Sequence, residues 1–136
     1  MKLFRLLGYC CIIALFASAA LARVTNLTTA VGYDAIQAAL DDASANDIIE
    51  AYEGTYNEVL TNDVSGVVLR AHAGDQVVVS PTSTETAILM QANDTVVQGF
   101  EITGSGIMIG IQMKCSDRMK AIDNYIHDIS PTNVST

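Results

Sequence analysis

The sequence predicts an all-β fold, a right-handed parallel β-helix of about four coils that follows a short N-terminal helix. Three features predict this fold. The period of the apolar residues changes from 3.6 to 2 after about residue 43 and stays there. Short β-rich runs are separated by turns of Gly, Asn, Asp and Ser. Parts of the sequence also repeat at shifts of 21 to 24, the length of one coil, and such coils stack into one continuous core.

Residues 1–22 have the organisation of a secretory signal peptide. Lys2 and Arg5 precede a nearly unbroken apolar run over residues 6–17, and Ala20-Leu-Ala22 is a small-residue cleavage site. The alternative is an anchoring helix, but the run is shorter than the ~20 residues that cross a bilayer. We therefore expect a secreted domain of residues 23–136, extracellular or, in a bacterium, periplasmic, with no membrane partner after cleavage.

The N-terminal helix is expected from Asp34 to about Ala43. Asp34 and Gln37 have the spacing of a capping box, with Asp34 as the N-cap. Ile36 and Leu40 recur at helical spacing on one face. We expect this face to cover the open end of the first coil, because a solenoid needs its ends covered.

The repeat predicts which residues stack in neighbouring coils. Residues 88–97 match residues 111–120 at a shift of 23, which places Asp94 on Asp117. The other matches are Val97 with Ala121 and Ile102 with Ile126 at a shift of 24, and, more weakly, Leu69 with Met90 at a shift of 21.

The same register predicts corners and an inner face. Gly99 and Asn124 fall near matching corners, where both residue types tolerate a positive φ. The residues expected to point inward are Val97, Ile102, Ile111, Met113 and Ile126.

The chain resembles the pectin-lyase-like superfamily over most of residues 33–130. Asn46 stands where the usual turn of that family has Gly, and Glu53 stands where Pro is common. The superfamily includes pectate, alginate and chondroitin lyases, epimerases, glycosidases, copper-site maturation proteins and inert adhesin stalks, so the resemblance implies the fold and leaves the function open. The matching stretches are Ile36-Gln-Ala-Ala-Leu40, Asn46-Asp-Ile-Ile-Glu50, Glu53-Gly-Thr-Tyr-Asn-Glu58, Val96-Val-Gln-Gly-Phe-Glu-Ile-Thr103 and Asp123-Asn-Tyr-Ile-His-Asp128.

One activity that the resemblance implies is β-elimination of uronic-acid chains. Such lyases need a cation on the sugar carboxylate, a Lys or Arg base and positive charge near the enolate. The basic residues after the signal cluster at Lys114, Arg118 and Lys120, the candidate catalytic residues. Asp117 and Asp123 are the candidate ligands of Ca²⁺. The alternative for the basic cluster is a solvated outer face whose charges protect a sheet edge.

Without the signal peptide the chain is strongly acidic. Five Lys and Arg residues stand against fifteen Asp and Glu residues, a formal net charge of −10. This charge excludes nucleic acid as a partner. An acidic polysaccharide would be repelled unless a cation bridged it or a local basic patch received it. The expected partner is therefore a polysaccharide, with Ca²⁺ as cofactor if it contains uronate.

Several single residues carry further expectations. Asn26, Asn93 and Asn133 begin Asn-x-Ser/Thr sequences, candidate glycosylation sites in a eukaryotic host or chance matches in a Thr/Ser/Asn-rich chain. Cys115 is the one cysteine left after cleavage, so we expect a buried thiol and no intrachain disulfide. His127 is either a base or metal ligand or, as we favour, a corner histidine bonded to the backbone.

Three functions fit this sequence to different degrees. The first is a polysaccharide lyase or the N-terminal part of one, and the second is a non-catalytic β-helix that binds glycan or protein at the cell surface. The third, a copper-handling β-helix, lacks a cluster of Met and His on one face. A lyase predicts a Lys/Arg and Asp cluster on one sheet, whereas a binding module predicts exposed aromatics, for which Tyr125 is the candidate. The end at Thr136, without a visible C-terminal cap, predicts a fragment, an incomplete gene product or a degenerate paralogue.

Overall fold

The computed structural model describes residues 23–82, 85–114 and 117–130. The predicted signal peptide, Cys115 and the Asn133 acceptor lie outside these residues. Within them, no helix is long and apolar enough to cross a membrane. The elements are β1 (Val24–Asn26), β2 (Val31–Tyr33), α1 (Ile36–Asp41), β3 (Ile48–Ala51), β4 (Gly54–Tyr56), β5 (Leu60–Asn62), β6 (Val68–Ala71), β7 (Val77–Val79), β8 (Thr86–Met90), β9 (Val96–Gln98), β10 (Glu101–Ser105), β11 (Ile109–Met113), β12 (Lys120–Ile122) and β13 (Tyr125–Ser130).

The strands form a β-solenoid of about three coils, which confirms the predicted parallel, stacked architecture. Sheet A contains β12-β9-β6-β3-β1-β2, sheet B contains β13-β10-β7-β4 and sheet C contains β11-β8-β5. Each coil contributes one strand to each sheet in turn, and β12 and β13 add two sides of a further coil. The predicted register is confirmed where Ile88 pairs with Ile111, Met90 with Met113, Val97 with Ala121 and Ile102 with Ile126.

The weak match of Leu69 with Met90 is wrong. Leu69 lies in sheet A, where it pairs with Val97, whereas Met90 lies in sheet C. The reason is that the coils differ in length: in sheet A, Leu69 follows its partner Ile49 at a shift of 20 and precedes Val97 at a shift of 28. Longer loops before β7 and β8 lengthen the second coil beyond the predicted period.

Alternating residues of each strand point into one apolar core. Val97 and Ile102 are fully buried, as predicted. Ile111 and Met113 are half-buried and Ile126 is 42% exposed, because no described coil packs on the coil that carries Ile126. The largest buried side chains are Tyr56, Phe100, Ile36, Ile49, Leu60, Leu69, Ile88, Met90, Ile102 and Ile107.

The parallel strands of sheet A are β3, β6, β9 and β12. The turn before each of them contains a residue with positive φ, and these residues stack in a column. Asn46, Gly66, Asp94 and Arg118 have φ of 70, 78, 59 and 58°. Backbone hydrogen bonds tie this corner across coils, for example from the Asp94 N–H to the Asp117 carbonyl at 3.0 Å. Asp94 therefore matches Arg118 at a shift of 24, which corrects the predicted match with Asp117. At the position of Asn46 the pectin-lyase-like superfamily usually has Gly. Asn46 is compatible with the positive φ there, because Asn adopts this conformation more readily than most residues with a side chain.

A second corner differs from the prediction by one residue. Gly99 has a φ of 80° and its equivalent is Asp123, with a φ of 52°, not Asn124. The Asn124 side chain instead fastens this corner: its amide donates to the Val97 carbonyl at 2.9 Å and its oxygen accepts the Phe100 N–H at 3.0 Å.

The helix α1 is shorter than predicted and is not capped by Asp34. Its N-cap is Ala35, without a side-chain hydrogen bond. The carboxylate of Glu58, 22 and 21 residues away, accepts the N–H groups of Ile36 and Gln37 at 3.0 and 2.9 Å. Because Glu58 already satisfies these donors, the predicted capping box does not form. Ile36, Ala39 and Leu40 are buried, and α1 contacts β1, β2, β3 and β5.

The N-terminal hairpin was not predicted. The strands β1 and β2 pair antiparallel with each other, and β1 also pairs antiparallel with β3 at the edge of sheet A. Val24 is fully buried and anchors the hairpin to the core. The three-residue strands are too short for a period of 2 to reveal them.

Candidate functional site

The basic residues that the lyase hypothesis singles out do not converge. Lys114 follows β11 in sheet C, whereas Lys120 begins β12 in sheet A and lies on its outer face, next to the inward-facing Ala121. Arg118 occupies the corner between these strands and binds the Asp94 carboxylate through two nitrogens, at 2.5 and 2.7 Å. This pairing lowers the pKa of Asp94, mainly through the hydrogen bond from Arg118. The Arg118 guanidinium is thus already paired with a carboxylate of the neighbouring coil.

The candidate Ca²⁺ ligands are also separated. Asp117 precedes β12 and Asp123 follows it, so the two side chains belong to opposite corners of one coil. In residues 23–82, 85–114 and 117–130, no group of three or more His, Cys, Asp and Glu side chains could hold a metal ion. The role of these two residues in binding Ca²⁺ stays a prediction.

The two described glycosylation candidates differ in access. Asn26 is 1% exposed, its amide donates to Asp47 at 2.7 Å, and its oxygen accepts the N–H groups of Thr28 and Thr29. The folded protein therefore does not present Asn26 to a transferase. Asn93 lies on an exposed corner, where its oxygen accepts the Asp117 N–H at 2.9 Å.

A groove runs along the corner between sheets A and B. It consists of three adjoining cavities of about 660, 510 and 290 Å³, all of which are lined in part by Asp75. Asp75 belongs to the long loop between β6 and β7, and its carboxylate accepts the Glu53 N–H at 3.0 Å. We call these cavities together the Asp75 groove. Its floor includes the corner residues Gly99 and Asp123, which line two of the cavities.

On the sheet A side, a buried carboxylate organises two basic side chains. Glu50 and Arg70 pair across β3 and β6, and the Arg70 Nε donates to Glu50 at 2.7 Å. His72 Nδ1 lies 3.0 Å from the other oxygen of Glu50, and the ring of Tyr52 contacts that of His72 at 4.9 Å between centroids. Glu50 is only 6% exposed although it faces outward, because these side chains cover it.

The charge state of Glu50 follows from its partners. Burial acts to raise its pKa, but the hydrogen bonds from His72 and Arg70 together outweigh burial, so its pKa is lowered. An ionised carboxylate can only accept hydrogen bonds, so His72 Nδ1 carries a proton. His72 Nε2 has no hydrogen-bond partner in the part of the chain that the structure describes, and His72 lines the 510 Å³ cavity.

On the sheet B side, a second histidine lies between two carboxylates. His127 Nδ1 lies 2.8 Å from Asp128 and Nε2 lies 2.9 Å from Glu101, whose other oxygen accepts from Gln76 at 2.7 Å. The ring of Tyr125 stacks on His127 with 4.5 Å between centroids. His127 is thus held by side chains rather than by the expected backbone bond. Hydrogen bonds to Asp128 and then to Glu101 raise its pKa above 6.5.

The groove therefore carries a Tyr–His–Glu group on each flank. The first group is Tyr52, His72 and Glu50, and the second is Tyr125, His127 and Glu101. Sequence reasoning assigned His72 nothing and treated Glu50 only as part of a family motif. Glu50 and Tyr52 are two positions apart, as are Arg70 and His72. Since alternate residues face the same side of a strand, this spacing could have indicated that each pair shares one face.

Comparison with known proteins does not assign a family. No match was found among protein-family models, curated proteins or solved structures. The likeness of this chain to the pectin-lyase-like superfamily consequently stands on the motifs described above and on a parallel β-solenoid that is compatible with it.

Proposed function

We propose that this protein is a secreted, right-handed β-helix of the pectin-lyase-like type that binds polysaccharide in the Asp75 groove. The observation that carries the proposal is the pair of Tyr–His–Glu groups on the two flanks of adjoining cavities. The groove extends over more than one coil, as binding of a chain-like ligand requires. In this proposal α1 covers the first coil and completes the scaffold at that end.

The groove offers the two kinds of contact that sugar rings need. Aromatic side chains combine a large apolar surface with a polar end, and Tyr125 is 63% exposed. Polar side chains that converge on a cavity fix the orientation of a ligand and give specificity. Arg70 and Gln98 supply donors in the 510 Å³ cavity, His72 Nε2 supplies an acceptor there, and Glu101 supplies an acceptor in the 290 Å³ cavity.

Binding is tested by affinity electrophoresis in gels that contain soluble polysaccharides, followed by calorimetry with oligosaccharides of the retarding polymer. We expect Tyr52→Ala and Arg70→Ala to weaken binding by about tenfold, which is about 1.4 kcal/mol. Met108→Ala is the control, because Met108 is 59% exposed on the outside of a different corner. Equal retardation of all variants would contradict binding in the groove, and no retardation by any polysaccharide would contradict the function.

A lyase activity is the second candidate, and the position of Lys120 favours it. Lys120 lies on the outer face of sheet A, the face that also carries Arg70, and it is three residues from the groove residue Asp123. We propose Lys120 as the base, with Lys114 and Arg118 as the remaining candidates, and a Ca²⁺ ion that joins the sugar carboxylate to either Asp117 or Asp123, because these two residues lie at opposite corners of one coil. A neutral lysine suits proton abstraction better than arginine, which stays charged.

The lyase candidate is tested by the ultraviolet absorbance of unsaturated uronate on pectate, alginate and chondroitin, with and without a chelator. Chelation should abolish the rise, because a chain with a net charge of −10 needs a cation to hold a polyuronate. Lys120→Ala should lose the activity and Lys114→Ala should retain most of it. Activity that survives chelation together with Lys114→Ala/Lys120→Ala would contradict these roles.

Secretion is tested separately from binding. We propose that cleavage after Ala22 releases a chain that begins at Arg23. N-terminal sequencing of the secreted protein should return Arg-Val-Thr-Asn. In a eukaryotic host, treatment with an endoglycosidase should reduce its mass unless Asn93 and Asn133 are replaced, whereas Asn26→Gln alone should leave the mass shift unchanged.

A further inference from the structure

The sheet B end of the Asp75 groove presents a flat aromatic platform. Tyr125 is exposed, and its ring is stacked on that of His127 with an interplanar angle of 26°. Tyr125 also lines the 290 Å³ cavity together with Gln76 and Glu101. An apolar ring face beside an amide and a carboxylate suits a sugar ring, which has apolar faces and an equatorial set of hydroxyl groups.

The platform is held in place through His127. Both ring nitrogens of His127 lie within hydrogen-bond distance of a carboxylate, Asp128 on one side and Glu101 on the other. An ionised carboxylate is only an acceptor, so both contacts are hydrogen bonds only when both nitrogens carry protons. In neutral imidazole one nitrogen is itself an acceptor, and its contact becomes repulsive. The orientation of His127, and with it the support for Tyr125, therefore depends on the protonation of His127.

We propose that the stacked Tyr125 and His127 rings form a subsite for an uncharged sugar ring, and that this subsite is assembled when His127 carries both protons. The inference rests on the proposed function, since it places one part of a bound polysaccharide. It adds the class of sugar at this end of the groove and the condition under which that sugar binds.

The charges around the subsite select against acidic sugars. Three carboxylates, those of Asp75, Glu101 and Asp123, line the 290 Å³ cavity. No Lys or Arg is among the described residues that line it. Protonated His127 is already paired with Glu101 and Asp128, so it leaves no net positive charge for a uronate. A neutral pyranose ring avoids this repulsion, and its hydroxyl groups can donate hydrogen bonds to the carboxylates.

The direction of the pH dependence follows from the same groups. The pKa of His127 is raised above 6.5 by Asp128 and Glu101, whereas the pKa of Glu101 is lowered by Gln76 and His127. His127 is consequently protonated, and the subsite assembled, in mildly acidic solution, below the ordinary histidine pKa of 6.5. The subsite is lost as the pH rises through the raised pKa of His127. The groups that face His127 are Glu101 from β10 and Tyr125 and Asp128 from β13.

The experiment uses the secreted protein and isothermal titration with neutral hexasaccharides of glucose, xylose and mannose, and with hexagalacturonate as the acidic counterpart. Titrations are made at about pH 5.5 and about pH 8.5, on either side of the range in which histidine titrates. A neutral hexasaccharide should bind about tenfold more tightly at the lower pH, and Tyr125→Ala should remove most of this difference. His127→Gln should bind equally at both pH values, and the control Met108→Ala should behave as the unchanged protein.

A second measurement keeps the structural part of the proposal testable. The imidazole ¹⁵N signals of His127 should report two protonated nitrogens at the lower pH, and the ring protons of Tyr125 should shift with the same midpoint. A Tyr125 signal that does not follow His127, or a pH dependence that persists in His127→Gln, would overturn the proposal. So would tighter binding of hexagalacturonate through Tyr125.

The outcomes separate the subsite from the groove. If a hexasaccharide binds and only Tyr52→Ala and Arg70→Ala weaken it, the groove is supported and the subsite is refuted. If no hexasaccharide binds to the folded protein at either pH, the proposed function fails and the subsite fails with it. Circular dichroism of each variant distinguishes loss of binding from loss of the fold.

Discussion

Removal of the Glu58 carboxylate should destabilise the protein, whereas removal of Asp34 should not. Glu58 accepts the N–H groups of Ile36 and Gln37 at 3.0 and 2.9 Å. Loss of a helix N-cap costs about 0.5–2 kcal/mol, and a hydrogen bond to a charged group contributes about 1.5–3 kcal/mol. Because Glu58 is half-buried, we expect Glu58→Ala to lower the free energy of unfolding by about 1–2 kcal/mol.

The assay is urea unfolding followed by circular dichroism. With an m-value of about 1–2 kcal/mol per molar urea, Glu58→Ala should lower the midpoint by about 1 M. Glu58→Gln should fall between Glu58→Ala and the unchanged protein, because the amide retains one acceptor. Asp34→Ala and the exposed control Glu53→Ala should stay within about 0.5 kcal/mol. An Asp34→Ala variant as unstable as Glu58→Ala would refute the assignment of Glu58 as the cap.

Two further changes test the core and a buried charge. Leu40→Ala should cost about 2–5 kcal/mol in the same unfolding assay, because Leu40 is 2% exposed on the inner face of α1; no loss would show that α1 does not cover the first coil. Glu50 has a pKa lowered from 4.5, so its contribution to stability is present above that pH and is lost as the pH falls towards its folded-state value. Urea midpoints of Glu50→Gln should therefore fall less between about pH 6 and pH 3 than those of the unchanged protein, and parallel curves would contradict the lowered pKa.

The sequence predicted the fold best where neighbouring coils have similar lengths. The repeat aligned β8 with β11 correctly because both strands have the same inward pattern and are related by the predicted shift of 23. The second coil could not be aligned, because its loops change the shift to 28 and alternation carries no information about loop length. Glu58 was missed as a cap since capping rules are local and this contact spans 22 residues.

The candidate site was predictable only in part, for the same physical reason. Tyr125 and His127 were noticed as an exposed aromatic and a histidine beside an acid. Glu101, which contacts His127 and pairs with Tyr125 in the strand register, lies 26 residues before His127, in the preceding coil. Glu50 and Arg70 meet because their coils are related by a shift of 20, a value outside the period that the repeat indicated. Contacts across coils depend on register, which individual strand patterns do not specify.

The loops of this solenoid differ in length from coil to coil, whereas the strands of successive coils stack on one another. The strands therefore maintain the fold, and the loops vary the surface. The second coil is lengthened by residues before β7 and β8, yet Leu69 and Val79 remain fully buried in the common core. The loop before β7 carries Asp75 and Gly74; the space beside Gly74 is open, although its φ of 93° favours glycine at that one position. Doubling the length of a flexible loop costs only about 0.6 kcal/mol. Insertions at this loop should thus remodel ligand recognition at little cost in stability, so the wall of the groove can change while the core stays the same.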